Sequence, residues 1–66
     1  MNAHSILYNL EQRIAAQGLT MAAVCREAGM SQAVVSRWRA RKYEPKLSSL
    51  DRLEQALIRL ARRKSA

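Results

Sequence analysis

The residue that most constrains how this chain can fold is Gly29, set between two short stretches whose apolar residues recur at helical spacing. Before it, Met21, Val24, Cys25 and Ala28 fall at i, i+3, i+4 and i+7, one stripe of a helix that Thr20 can cap. After it, Ser31 can cap a second helix whose inward residues are Val35 and Trp38, three apart and therefore on one face. Two short amphipathic helices joined by the three residues Gly29, Met30 and Ser31 share one core only if the chain turns sharply between them. Such a turn commonly needs a left-handed residue, which glycine adopts without the steric penalty of a Cβ. The break therefore predicts two helices meeting at a steep angle, with Met30 dropping into the core beneath the turn and the second helix running to about Lys42.

The flanking sequence is helical as well. Period-2 alternation is absent, the aromatic residues are one Trp and two Tyr, and β-branched residues are few, so the chain reads as all-α. Ile6, Leu7, Leu10 and Ile14 predict a first helix over about residues 5–17, capped by Asn2 or Ser5 and closed by Gly18. Pro45 forbids a continuous helix through "KYEPK" and holds Glu44 extended. A last helix restarts behind it, with Ser48 and Asp51 approximating a capping box and Leu50, Leu53, Leu57 and Leu60 repeating to about Arg62. The basic tail, residues 62–66, is expected to fray. No repeat, low-complexity stretch or long linker divides the chain, so residues 1–66 are expected to form a single domain of four or five helices, the paired helices lying within 20–41.

A chain of 66 residues hides only roughly 60% of the surface its unfolded form exposes, so a partner that binds the folded state would add to its stability. The lone cysteine, Cys25, has no second thiol or histidine cluster to complete a disulfide or metal site, which fits a reducing cytoplasm; no metal and no cofactor is implied. The start has no basic leader ahead of a long apolar run, and "LTMAAVC" is too short to span a bilayer, so neither export nor anchoring is expected. Net charge is +7, and its placement is uneven. Arg13 and Arg26 balance Glu11 and Glu27 in the first 35 residues, whereas residues 36–66 carry ten basic side chains against Glu44, Asp51 and Glu54. Such asymmetry points to a face that meets a polyanion, nucleic acid before an anionic membrane.

Counted from Met21, the stretch "MAAVCREAGMSQAVVSRWRA" resembles the helix-turn-helix of the lambda-type repressor and Cro family (XRE-like): a small residue fifth (Cys25), glycine ninth (Gly29), and apolar residues tenth (Met30), fifteenth (Val35) and eighteenth (Trp38). The similarity continues through Pro45, seven places after Trp38, and Leu47, Leu50 and Leu53, and covers roughly residues 6–57. Cys25 stands where the family prefers alanine, Met21 where it often has glutamine, and Ala40 and Arg41 where asparagine or glycine is frequent. The resemblance implies a compact all-α, lambda-repressor-like domain that binds double-stranded DNA.

With Val35 and Trp38 inward, about 100° per residue sets Ala33, Ser36, Arg37 and Ala40 on the outer side, with Gln32 in the exposed first turn. A major groove about 12 Å wide admits a helix, and two alanines let its backbone come close. Gln32 suits adenine N6 and N7, Arg37 suits guanine O6 and N7, Ser36 suits either, and Ala33 suits a thymine methyl. Family resemblance puts Gln32, Ala33 and Arg37 at the positions that most often read bases. Arg39, Arg41, Lys42, Tyr43 and Lys46 are expected to meet phosphates, joined by free N–H groups at Thr20 and Met21, where the first helix of the pair begins.

Blander roles fit other residues: Trp38 as core rather than a stacking platform, Cys25 as an inert small hydrophobe, His4 as structural or neutral. Arg59, Arg62, Arg63 and Lys64 either touch flanking DNA or complement the negative end of their helix, and Ile58, off the leucine stripe, suits a two-fold interface. The expected function is a sequence-specific regulator, a Cro-like or phage-type repressor acting as a homodimer on a pseudo-palindromic operator; no small-molecule ligand and no membrane partner is implied. The alternative is an antitoxin carrying the same DNA-binding fold, although little sequence remains for a toxin-binding segment. A basic membrane-surface peptide would leave Gly29 and the spacing from Trp38 to Pro45 unexplained. Enzymatic chemistry is not expected, because no paired acid and base, phosphate-cradling glycine loop or metal set is present.

Overall fold

Leu50, Leu53 and Leu57, spaced three and four apart, give a helix one apolar stripe. In the computed structural model, which describes residues 2–65, the helix that carries them is the axis of the fold. Four α-helices follow one another, α1 (Ala3–Ala16), α2 (Met21–Ala28), α3 (Gln32–Arg39) and α4 (Leu47–Ser65), with no strand among the described residues. The chain is all-α, as its periodicity implied. α4 packs chiefly on α2 and next on α1, and α3 leans on α2. One core gathers Leu7, Leu10 and Ile14 from α1, Val24 and Cys25 from α2, Val35 and Trp38 from α3, and Leu50, Leu53, Ala56 and Leu57 from α4. Each large side chain buried there is worth about 1.5–3 kcal/mol. Met21, Ala28, Met30, Ile6 and Leu60 are only partly buried at its edge.

The helix starts follow side-chain capping. Asn2 Oδ1 accepts from Ser5 N–H at 2.8 Å, Thr20 Oγ1 from Ala23 N–H at 3.1 Å, and Ser31 Oγ from Ala33 N–H at 3.1 Å. Asn2 rather than Ser5 is thus the first cap, and α1 begins at Ala3 instead of residue 5. α4 departs from the expected capping box. It begins at Leu47, directly behind buried Pro45, and the Lys46 carbonyl accepts from Leu50 N–H, so Ser48 lies inside the first turn.

The first three helices end in the same way. Gly18 (φ 70°) and Gly29 (φ 71°) are left-handed, and the residue after each donates back to a carbonyl five positions earlier, Leu19 to Ile14 and Met30 to Cys25. α3 repeats this with no glycine: Arg41 stands at φ 59° and Lys42 N–H bonds the Arg37 carbonyl at 3.1 Å. That reversal ends α3 at Arg39, three residues short of the expected Lys42.

At the other end, α4 runs to Ser65 rather than Arg62, replacing the frayed tail expected over 62–66; Ala66 lies outside the described residues. Its cationic side chains account for the extension. Arg59 Nε and Arg63 Nη2 lie 2.9 and 2.6 Å from the same Glu27 oxygen, and Lys64 Nζ donates to the Gln17 carbonyl. Arg52 also donates to the Ala28 carbonyl at 2.7 Å, so guanidinium groups complement the negative C-terminal end of α2. The two arginines hold the Glu27 carboxyl below its ordinary pKa of 4.5.

Two outcomes follow for stability. A Cβ at Gly29 would meet Arg52 Nη2 at an ordinary 3.5 Å, so the penalty of Gly29→Val is one of backbone conformation. It should be about 1–2 kcal/mol in thermal unfolding, with Gly29→Asn losing less because asparagine tolerates the left-handed region; equal midpoints for wild type and Gly29→Val would contradict this turn. Because the Glu27 pKa is lowered on folding, its contribution is complete above the unfolded value of 4.5 and is lost as pH falls through the folded value. Glu27→Gln should therefore lower the melting temperature at neutral pH and flatten the acid limb of the stability profile, and an unchanged acid limb would rule the clamp out.

Candidate nucleic-acid interface

The surface of α3 is defined by what its inner side buries. Val35 and Trp38 are 1% and 4% exposed, and Val34 beside them is half-buried. The helical step then collects the exposed Gln32, Ala33, Ser36 and Arg37 on the opposite side, within an arc of about 140°. Ser31, capping the helix, fixes where that arc starts. All four residues expected to read bases therefore share one open, small-residued face. None of its side chains is turned into the core.

Around this face the other expected contacts divide. Thr20 is exposed at the start of α2, but its hydroxyl and carbonyl already serve Ala23 and Val24 N–H. The donors left over in that first turn, among the described residues, are the amides of Met21 and Ala22. Met21 offers only its backbone, since its side chain packs against the core. Arg41, Lys42, Tyr43 and Lys46 are all exposed along the loop from α3 to α4. Arg39 differs: its Nη2 and Nε lie 2.6 and 2.7 Å from Glu11 Oε2 on α1. Its guanidinium is paired within its own protein while the side chain stays 46% exposed.

The basic residues thus fall into two groups. Arg13 pairs with Glu54, Arg39 with Glu11, and Arg59 and Arg63 with Glu27. Among the described residues, Arg26, Arg37, Arg41, Lys42, Lys46, Arg52, Arg62 and Lys64 form no ion pair, and five of these, Arg37, Arg41, Lys42, Lys46 and Arg52, cluster around α3, the loop behind it and the start of α4. Of the C-terminal cations, Arg59, Arg63 and Lys64 hold α4 to α2 and to the end of α1, leaving Arg62 exposed and, among the described residues, without a carboxylate. Most of the unpaired positive charge therefore stands on the α3 side, with Arg26 and Arg62 apart from it.

Sequence reading missed Arg52. A cleft of about 580 Å³ opens between α3, the following loop and the first turns of α4, where Arg37, Tyr43, Lys46 and Arg52 meet Ser49, with Glu44 the single anion. Arg52 and Arg59 are seven apart and so on one face of α4, a spacing visible in the sequence. What they would touch was not, since Ala28 and Glu27 are 24 and 32 residues away. Cys25 is buried, which pushes its thiol pKa up against a weaker downward pull from Arg39, so it stays a protonated, inert hydrophobe. His4, half-buried on α1, is structural: Nε2 lies 3.2 Å from the Trp38 carbonyl.

No described helix is long and apolar enough to cross a membrane. No curated protein and no solved structure gives a significant match to the chain. A family model described as helix-turn-helix matches residues 10–60, a span that includes all of α2 and α3, the turn between them and most of α4.

Proposed function

The chain belongs to the lambda-repressor-like helix-turn-helix family of DNA-binding regulators, and on that premise we propose that it is a Cro-like, phage-type repressor that binds a pseudo-palindromic operator as a homodimer. The observation that carries this reading is the open face of α3, on which Gln32, Ala33, Ser36 and Arg37 stand together while Val35 and Trp38 are buried behind them. In the proposed complex that face enters the major groove. Gln32 and Arg37 read adenine and guanine edges, Ser36 adds a hydrogen bond, and Ala33 packs on a thymine methyl. Arg41, Lys42, Tyr43 and Lys46, with the backbone amides behind Thr20 at Met21 and Ala22, hold phosphates and fix the register.

Two copies related by a two-fold axis would present their α3 helices to successive grooves about 34 Å apart. Ile58, half-buried with Ala61 in a shallow groove between α4 and the end of α1, supports pairing through that helix. Occupancy of a promoter would exclude polymerase by steric overlap, which needs no catalytic step.

Selection of duplexes from a random pool, followed by affinity measurement against a scrambled control, tests the proposal. Arg37→Ala should weaken binding to the selected duplex by about 1–3 kcal/mol and relax preference at one position. Equal weakening on both duplexes would reassign Arg37 to a phosphate. If a dimer neutralises roughly eight phosphates, log K against log salt should slope near −7, whereas a flat dependence contradicts the basic face.

A further inference from the structure

α3 is short and lightly anchored: eight residues, two of them buried. One flank, with Val34, meets the Met30 turn and the cleft above α4. The other meets α1 through two side chains. Glu11 Oε2 receives both Nε and Nη2 of Arg39 at 2.7 and 2.6 Å. His4 Nε2 lies 3.2 Å from the Trp38 carbonyl, which can only accept, so the ring donates; its Nδ1 is 4.0 Å from Glu44 Oε1. His4 and Glu11 are seven residues apart and stand on one face of α1. Between them they hold the last turn of α3.

Neither residue is on the open face of α3. Both touch the segment whose rotation decides where that face points. A functional site tolerates only about 10–20° of misorientation, so contacts at the flanks of α3 add to the orientation that its buried Val35 and Trp38 set.

We propose that Glu11 is a positioning residue for DNA recognition, and that Arg39 is a strut to α1 rather than a phosphate contact. The inference rests on the reading of α3 as the helix that enters the groove. α1 thereby acts on base choice without touching DNA. The ion pair steadies the roll of α3 that Val35 and Trp38 set.

A charge swap tests this. Glu11→Arg, Arg39→Glu and the double variant are compared with wild type by the ratio of affinities for the selected and scrambled duplexes at one salt concentration. The double variant keeps the wild-type net charge, and a ratio measured on folded protein does not move with global stability alone. Each single variant should lower the ratio about tenfold, and the double variant should recover it to within about threefold. If Arg39→Glu weakens both duplexes equally and the double variant does not recover, Arg39 is a phosphate contact and the proposal falls. Single variants with an unchanged ratio overturn it equally. Should the single swaps fail to fold, Glu11→Gln and Arg39→Gln carry the same comparison. Their combined loss should then equal the larger single loss, and additive losses refute the strut. A wild-type protein that prefers no duplex removes the groove-reading role itself, an outcome visible before any variant is measured.

Discussion

The burial of Val35 and Trp38 beneath α3 is the constraint from which the rest of the structure follows. These two side chains commit one side of a short helix to the core, and only a sharp turn immediately before it lets them reach the same core as Val24 and Cys25. Gly29 makes that turn in the left-handed conformation, and Ser31 restarts the helix within two residues. What remains outward is narrow, polar and lined with small residues. A long side chain at position 33 would hold the backbone away from any surface it approached. The apolar spacing and the open face are thus two sides of one packing decision.

The charges obey a similar economy. The carboxylates Glu11, Glu27 and Glu54 each bind an arginine from a distant helix, so part of the positive charge is used to hold the helices together. Most of the remainder is left around α3. Individually, exposed ion pairs of this kind contribute little. Glu27, shared by Arg59 and Arg63 at the C-terminal end of α2, is the exception in geometry, because two guanidinium groups and a helix end converge on one carboxylate.

Much of this was legible in the residues. Thr20, Gly29 and Ser31 marked the limits of the paired helices, and the spacing of Val35 and Trp38 told the inner side of α3 from the outer. The end of α3 was not legible, because the residue that reverses the chain is Arg41, to which no propensity assigns a left-handed role. The last turn of α4 escaped for a different reason. "RRKSA" looks like a solvated tail until Glu27 and the Gln17 carbonyl are brought against it from far along the chain. The same distance hid Glu11 as the partner of Arg39, which by helical phase alone stands close enough to the outer face to be counted with the phosphate contacts. Local chemistry set the helices, and long-range charge pairing decided which cations were left over.

The most direct measurement is backbone amide chemical-shift mapping during titration with a selected duplex. The largest changes should run along Gln32, Ala33, Ser36 and Arg37, with further changes at Met21, Ala22 and the 41–46 loop, while the outer side of α1 around Tyr8 and Gln12 stays silent. Changes concentrated on α1 and α4, with α3 unmoved, would contradict the claim that the buried valine and tryptophan aim this helix at DNA.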